Sequence, residues 1–365
     1  MKRYLLSEKG NFYKANLHCH STFSDGRNTP EEIKKHYVEN GYSVIAFTDH
    51  NIFVSHEYLN DDSFLALNGV EINIDEAKEW KDSPKTCHIC LIALNQTIEA
   101  HPLWDEKMEV DKSKTTYKMV YNPECVSKIM GIGADKGFFV TYNHPRWSLE
   151  NYEQYIKYEN MNAMEIYNHG CIELGYFEYN GAVYDEMLRA GKKIYAIATD
   201  DNHQNNQACG GYVMINAEKL EYKAITKALQ EGRFYSSTGP AINALWYDDE
   251  NKEIHIETSK AKQIICSTGI RRQLRIRKNC RVTVLINMNT CKVKVICAVH
   301  TCLRRHICNN IRHIQLVKVL FSILGNSFTI GNNRYCNKFG KIININTQNI
   351  IGCQIAGCFN IHRLF

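Results

Sequence analysis

Histidine and carboxylate side chains with metal-ligand spacing occur near the beginning of the sequence. The segment His18-Cys19-His20 places two imidazoles one residue apart, and Asp25 follows in a turn. In an extended backbone, residues i and i+2 project to the same side, so the two imidazoles can share one metal ion while Cys19 points away. The chemistry that this pattern allows is metal binding through imidazole and carboxylate groups.

The same residue types recur in short polar motifs further along the chain. These motifs are Thr48-Asp49-His50, Gly69-Val70-Glu71, His88, Asn143-His144-Pro145 and Asp201-Asn202-His203. A single histidine of this kind is usually a hydrogen-bonded core residue, and an aspartate beside glycine is an ordinary turn residue. Nine metal-type ligands at the ends of six predicted strands are not what core packing supplies, so together they indicate a metal site.

Seven short β-rich segments lie next to these motifs. Several, such as residues 43–48 and 193–199, are nearly all apolar, which is expected of strands covered on both faces in a parallel sheet. The predicted strands are Ala15–His20, Ser43–Thr48, Phe64–Glu71, Cys87–Leu94, Phe138–Tyr142, Ala163–Tyr167 and Lys193–Thr199.

Helix signals separate many of these strands. Residues 29–32 (TPEE) supply an N-cap, a proline at the first helical position and a capping-box glutamate, and Gly41 supplies the stop. Residues 123–136 and 183–190 are predicted as further helices. This alternation predicts a β/α barrel, in which chemistry belongs at the C-terminal ends of the strands. The alternative, an open doubly wound sheet, is disfavoured because no glycine-rich phosphate fingerprint follows an early strand.

Taken together, the motifs resemble the PHP (polymerase and histidinol phosphatase) superfamily of metal-dependent phosphoesterases over about residues 10–272. Residues 232–240 (GRFYSSTGP) resemble the end of the barrel in a branch that includes carbaryl-hydrolase-like metallohydrolases. The resemblance implies an α/β fold, a distorted (β/α)7 TIM-like barrel, with a small C-terminal β-rich appendage. It also implies two to three divalent metal ions, for which sequence leaves Mn, Zn and Fe open.

The resemblance assigns ligands to these ions, with Glu71 as a bridge between the first two. The three sets are His18, His20, Glu71 and Asp201; Glu71, His88 and His144; and Asp25, His50 and His203. Neutral imidazole ligands need acceptors that hold their second nitrogens. Asp49 and Asp200 are candidates for this task, with a plain structural role as the alternative.

Two ions about 4 Å apart lower the pKa of a shared water and neutralise charge on phosphoryl oxygens. We therefore predict hydrolysis of a phosphate mono- or diester by a metal-bridging hydroxide, with Glu71, Arg146 and His203 as catalytic residues. Arg27, Arg146 and His169 are predicted to bind the substrate. Two alternatives remain open, a carboxyl- or carbamate-ester hydrolase on the same site and a non-catalytic metal-binding or regulatory module.

Charge divides the chain near residue 260. All 39 acidic residues lie at or before Glu257, whereas 18 of the 44 lysines and arginines follow it. We expect a barrel over residues 1–240, a β-rich appendage over 241–272 and an anomalous, poorly ordered basic tail over 273–365. The lack of acidic residues favours the hypothesis that the tail is an out-of-frame translation. The alternatives are a basic nucleic-acid-binding module and a zinc module that uses Cys291, Cys297, His300, Cys302, His306 and Cys308.

Neither a signal peptide nor a membrane span is predicted. Residues 1–10 lack an apolar run, and no window approaches the ~18 apolar residues that a span requires. The sequence predicts a cytoplasmic protein that acts on a small phosphorylated substrate, a nucleotide or a short oligonucleotide, without a membrane or a stable nucleic-acid partner. Oligomeric state is left open.

Overall fold

The structure is a computed structural model that describes residues 2–6, 10–77, 82, 84–248, 250–251, 253–268, 273–287, 292–296 and 317–322. The helices are α1 (Pro30–Glu39), α2 (Pro123–Asp135), α3 (Tyr152–Tyr155), α4 (His169–Glu173), α5 (Gly181–Arg189) and α6 (Tyr222–Gln230). The strands are β1 (Lys2–Leu6), β2 (Asn11–Asn16), β3 (Val44–Phe47), β4 (Leu65–Asp75), β5 (Thr86–Ala93), β6 (Phe138–Tyr142), β7 (Ala163–Asn168), β8 (Tyr195–Thr199), β9 (Tyr212–Ala217), β10 (Phe234–Ser237), β11 (Ile242–Asp248), β12 (Glu253–Thr268), β13 (Gln273–Asn287), β14 (Lys292–Ile296) and β15 (Val317–Ser322).

Nine strands form a barrel-like sheet in the order β10-β9-β2-β3-β4-β5-β6-β7-β8. Its two edge strands meet, because the Ser236 hydroxyl donates a hydrogen bond of 2.6 Å to the Ala196 carbonyl and the Tyr195 and Phe234 rings pack edge to face. The sheet is therefore nearly closed. Each of the seven predicted strands overlaps a strand of this sheet, the first only at Ala15 and Asn16, because β2 ends at Asn16. The predicted TIM-like barrel is confirmed, with β9 and β10 as additional strands.

The direction of β5 differs from the expectation of a parallel sheet. This strand is antiparallel to both β4 and β6, whereas β2 to β4 and β6 to β8 pair in parallel. Because β5 is reversed, its first residues lie at the edge where β4 and β6 end. His88, near the start of β5, is thereby brought to the same edge as the motifs that follow the other strands.

Alternate residues of the strands face two different apolar layers. On β3, Val44 and Ala46 belong to a cluster that joins strands around the whole sheet, whereas Ile45 and Phe47 pack in another cluster with residues of α1. Helix α6 contributes Ile225 and further residues to the first cluster. Both faces of the central strands are thus buried, which explains their nearly continuous apolar sequences.

The predicted helix signals are present in the structure. Thr29 caps α1 through a capping box with Glu32, and Pro30 is its first residue. Gly41 follows with a φ of +77°, a conformation that glycine adopts without a steric penalty. The helices predicted at residues 123–136 and 183–190 are observed as α2 and α5.

A second, antiparallel sheet has the order β1-β11-β12-β13-β14, and β15 pairs with β12. It takes β1 from the beginning of the chain and its other strands from residues after 241. The Cys and His residues of the zinc-module alternative, between 291 and 308, lie outside the described residues. In the described part of the chain, no helix is long and apolar enough to cross a membrane.

Candidate metal centre

Nine imidazole and carboxylate side chains converge at one edge of the barrel. They follow the ends of β2, β3, β6 and β8, or lie within β4 and near the start of β5. The nine residues are His18, His20, Asp25, His50, Glu71, His88, His144, Asp201 and His203. The structure therefore brings together every residue that the sequence predicts as a metal ligand.

Glu71 lies at the centre of this cluster and faces five imidazoles with its two carboxylate oxygens. Its Oε1 lies 3.1 Å from His18 Nε2, 3.2 Å from His88 Nδ1 and 3.2 Å from His144 Nε2. Its Oε2 lies 3.2 Å from both His20 Nε2 and His50 Nδ1. This side chain is 1% exposed, so its charge has almost no contact with solvent.

The ligand atoms fall into overlapping groups, each with its members within 4.8 Å of one another. One group joins His18, His20, Glu71 and Asp201, the set expected for the first ion. Another joins Asp25, His50 and His203, the set expected for the third ion, and adds His20. A further group joins His50 to Glu71 and His88. A fourth group joins His18 to His144 and Glu165. His18, His20 and His50 thus each belong to two groups, whereas the resemblance assigns each of them to one ion. The set expected for the second ion is divided, because His88 and His144 fall into different groups.

Backbone contacts between neighbouring strands hold the ligand segments in place. Asp201 N donates to His18 O at 3.0 Å, and Glu71 N donates to Thr48 O at 3.1 Å. His144 and Asp201 have φ values of +22° and +50°, which non-glycine residues rarely adopt. Such strain persists only where surrounding contacts impose it, and it is typical of functional sites.

Gly26 allows the turn that carries Asp25 to pack against the first histidine motif. A Cβ at position 26 would lie 2.5 Å from the His20 carbonyl oxygen, so only glycine fits without a shift of the backbone. The turn brings Asp25 Oδ2 to 3.3 Å from His203 Nε2 and Asp25 Oδ1 to 3.6 Å from His20 Nδ1. Residues far apart in sequence thus meet at this carboxylate.

Glu165 on β7 is a buried carboxylate that the sequence analysis missed. It forms hydrogen bonds to two residues of the cluster. Its Oε1 accepts from His18 Nδ1 and from the Thr199 hydroxyl, each at 2.6 Å, and its Oε2 accepts from His144 N at 3.0 Å. It leaves Nε2 of His18 free to bind a metal ion. The available signal was a glutamate inside an apolar strand, and β7 is the predicted strand to which no ligand was assigned.

Asp49 and Asp200, the candidates for this supporting task, instead organise loops. Asp49 accepts hydrogen bonds from the backbone and hydroxyl of Ser21 and from the Ser24 hydroxyl. Asp200 accepts from the Tyr37 hydroxyl and from the backbone N–H groups of residues 209–211. The plain structural role, which was the alternative for both, describes these contacts.

A family model for the PHP domain matches residues 16–204, which is more than half of the chain and includes all nine residues of the cluster. The chain belongs to the PHP domain family. A search of curated proteins gave no match. Membership of the carbaryl-hydrolase-like branch stays a prediction.

Solved structures that resemble this PHP domain share little sequence with it. A two-domain protein from Bacteroides vulgatus, described as containing a predicted PHP-like metal-dependent phosphoesterase, is 15% identical, with 87% of this chain and 91% of that chain covered and a TM-score of 0.44. An amidohydrolase from Chromobacterium violaceum is 15% identical (52% and 87% covered, TM-score 0.34). A lesion-specific endonuclease from Pyrococcus furiosus is 12% identical (60% and 56% covered, TM-score 0.36).

Several buried polar atoms in the cluster of this PHP domain have no hydrogen-bond partner, and a bound cation would serve as one. Glu71 Oε2, His20 Nδ1 and His50 Nδ1 are buried without a hydrogen bond. A buried polar atom without a partner costs free energy, so the arrangement calls for a further group. Imidazole and carboxylate donors are ligands that Mn, Fe and Zn accept, and the donor set therefore fits divalent metal ions.

Charge interactions in the cluster shift pKa values in opposite directions. Burial opposes protonation of His20, but the carboxylates of Asp201 and Glu71, 3.0 Å and 3.2 Å from its Nε2, outweigh it and raise the pKa of His20 to about 10. Contacts with Glu71 likewise outweigh burial and raise the pKa of His144 to about 9. Burial, together with the charge of His20, lowers the pKa of His50 to about 3. Without metal, protons on some imidazoles thus balance the buried carboxylates.

The residues predicted to bind substrate lie around the cluster. Arg146 is exposed in the loop after His144. Arg27 is also exposed, and its backbone N–H donates a hydrogen bond of 2.8 Å to the His203 carbonyl. His169 contacts the Tyr167 hydroxyl at 3.0 Å, and its Nε2 lies 3.9 Å from Glu173. Its polar atoms therefore face these neighbours rather than the nine-residue cluster, and its role in substrate binding stays a prediction.

Proposed function

We propose that this PHP domain is a metal-dependent phosphoesterase that hydrolyses a phosphate mono- or diester of a small metabolite, nucleotide or short oligonucleotide. The observation that carries this proposal is the position of Glu71, a buried carboxylate whose two oxygens face five imidazoles. A bridging carboxylate is the ligand type that closely spaced metal ions need, and paired ions suit phosphoryl transfer.

Two to three divalent ions of Mn, Zn or Fe would be held by the nine clustered side chains. When bound, such ions activate water and neutralise the charge that develops on phosphoryl oxygens. The protein's own contribution is to hold the ligand atoms rigidly. Glu165 orients His18, and Ser148 lies 3.2 Å from Nδ1 of His144, which leaves Nε2 of both imidazoles directed at Glu71.

Two further groups are placed to act on the substrate. The exposed Arg146 guanidinium would attract and orient an anionic phosphate ester. His203 is 31% exposed, more than the other imidazoles of the cluster, so it has the best access to a leaving oxygen that needs a proton. Arg27 would add positive charge near His203, because its backbone N–H donates a hydrogen bond to the His203 carbonyl.

A substrate panel tests this function. Protein loaded with Mn or Zn is assayed on a phosphate monoester, a phosphate diester, a carboxyl ester and a carbamate, with chelator-treated protein as the control. We expect metal-dependent turnover of a phosphate ester. Turnover of the carboxyl ester or carbamate alone would support the other hydrolase, and stoichiometric metal binding without any turnover would support a binding module.

A further inference from the structure

Exposed apolar side chains gather beside the loop that follows His144. Phe177 is 72% exposed and Tyr176 is 47% exposed, and Leu149 is 58% exposed next to them. An open cleft of about 400 Å³ lies between these residues and Arg146.

Trp147, which follows Arg146 in the chain, contacts the metal centre. The indole ring packs edge-on against His144 and His88, with ring centroids 5.0 Å and 5.2 Å apart. Its neighbour Arg146 places its guanidinium over the Phe177 ring, 5.6 Å from the centroid. We name the surface formed by Arg146, Trp147, Tyr176 and Phe177 the aromatic shelf. A group held on this shelf is adjacent to two of the proposed metal ligands.

A buried carboxylate joins the two halves of the aromatic shelf. Glu178, which is fully buried, accepts hydrogen bonds from the backbone N–H groups of Arg146 at 3.1 Å and Trp147 at 2.8 Å. It also accepts from Asn180 Nδ2 at 2.7 Å. These bonds hold residues 146–147 against the segment that carries Phe177, so the spacing between guanidinium and ring is set by the fold.

The Arg146 guanidinium is available to a ligand. Among the residues that the structure describes, no carboxylate forms an ion pair with it. A cation stacked on an exposed aromatic ring is a surface that binds a further planar, electron-rich ring, because both the guanidinium plane and the aromatic face stack well. An aliphatic group gains only from contact area on such a surface.

We propose that the aromatic shelf binds an aromatic ring carried by the alcohol part of the substrate, while the phosphate group lies at the metal centre. This inference rests on the proposed function and narrows it to phosphate esters of aromatic or nucleobase-bearing alcohols. Trp147 forms the inner wall next to the reacting group, and Phe177 supports the outer part of the ring. Tyr176 and Phe177 are then specificity-determining residues.

Paired ligands test the proposal in the full-length, metal-loaded protein. Binding of phenylphosphonate and methylphosphonate is measured by calorimetry, and turnover of naphthyl phosphate and glycerol phosphate is measured in parallel. We expect Phe177→Ala to weaken phenylphosphonate binding and to lower kcat/KM for naphthyl phosphate by about tenfold, the usual effect of removing one stacking partner. Methylphosphonate binding and glycerol phosphate turnover are expected to stay within about twofold.

Tyr58→Ala is the matched control, because Tyr58 is an exposed aromatic residue (62%) outside the aromatic shelf. Equal effects of Phe177→Ala on both ligand pairs would overturn the proposal, and so would a changed oligomeric state in sedimentation without a change in ligand preference. If neither ester is hydrolysed but the phosphonate preference depends on Phe177, the proposed function fails and the shelf stands. If both esters are hydrolysed and neither rate depends on Phe177, the proposed function stands and the aromatic shelf fails.

Discussion

His18 and Glu165 form a buried pair in which Nδ1 of the imidazole lies 2.6 Å from Oε1 of the carboxylate. Neither side chain is more than 1% exposed. The carboxylate also accepts from Thr199, Asn168 and the backbone N–H of His144, so its two oxygens receive four hydrogen bonds. This one residue therefore orients the His18 imidazole and anchors the backbone of His144, two proposed ligands that follow different strands.

Replacing Glu165 by Gln is expected to weaken metal binding by about 10- to 100-fold, the usual cost of losing an outer partner of a ligand. An amide has one oxygen, so it cannot accept all the hydrogen bonds that converge on the carboxylate. Metal titration by calorimetry measures the change. The control is Glu186→Gln, which alters the contact between Glu186 on α5 and the Tyr155 hydroxyl on α3. Equal metal affinity in both variants would show that Glu165 has no supporting role.

Replacing Glu71 by Gln is expected to abolish the proposed phosphoesterase activity while the fold is kept. The carboxylate faces five imidazoles at 3.1 to 3.2 Å, and removal of its charge leaves these groups without their shared counter-ion. The loss should exceed the roughly 100-fold limit for an outer partner. Turnover and circular dichroism are measured on the same preparation. Retained turnover would overturn the bridging assignment.

The metal-free protein is expected to lose stability as the pH rises from about 7 to about 8. The folded-state pKa values of about 10 for His20 and about 9 for His144 lie above the ordinary value of about 6.5. A group with a raised pKa stabilises the fold fully below its unfolded value, and this contribution declines as the pH rises towards the folded value. The slope is about 1.4 kcal/mol per pH unit for each group.

Urea denaturation of chelator-treated protein measures this slope. Thiols, whose ordinary pKa is about 8.5, begin to ionise in the unfolded chain within the same window, so the slope is compared between metal-free and metal-loaded protein. Metal-loaded protein is the control, because bound cations replace the protons and remove the dependence on these two groups. A free energy of unfolding that is constant or rises with pH in the metal-free protein contradicts the prediction.

The difference in unfolding free energy between Glu150→Gln and the native chain is expected to shift in favour of the variant between pH 5 and pH 8. Burial raises the pKa of Glu150 to about 7, even though Tyr142, Tyr158 and Tyr121 donate hydroxyl hydrogen bonds to it. Its stabilising contribution is present below about pH 4.3 and is lost as the pH rises through about 7, at about 1.4 kcal/mol per pH unit. A neutral amide does not titrate. Denaturation curves at both pH values measure the effect. The prediction is refuted if the difference in unfolding free energy between the two proteins is the same at pH 5 and pH 8.

A chain that ends at residue 272 is expected to bind metal with the same stoichiometry as the full chain. The proposed ligands all lie at or before His203, and the barrel sheet ends with β10 at Ser237. Metal content of the two purified proteins measures the effect, and loss of metal from the shorter chain would show that later residues support the site. The out-of-frame hypothesis for residues 273–365 is decided separately by whether a single-base shift in the gene restores an acidic C-terminus.

The local sequence determined most of the secondary structure and the identity of the clustered residues. Apolar strand segments and the capping box at Thr29 are local signals, because burial on both faces and satisfaction of helix-end groups depend on residue type within a few positions. His18 and His20 have Nε2 atoms 3.1 Å apart, as their spacing predicts. Polar motifs at strand ends were sufficient to predict which side chains gather.

Tertiary structure alone decided how these residues are shared and supported. The reversed direction of β5, which brings His88 to Glu71, depends on pairing with β4 and β6 and leaves no mark on its apolar sequence. Glu165 could not be chosen over Asp49 and Asp200 as the partner of His18, because a hydrogen bond across 147 residues depends on where β2 and β7 lie in the closed sheet. Side-chain distances across a barrel follow from strand order and register, which the local physics of the chain does not encode.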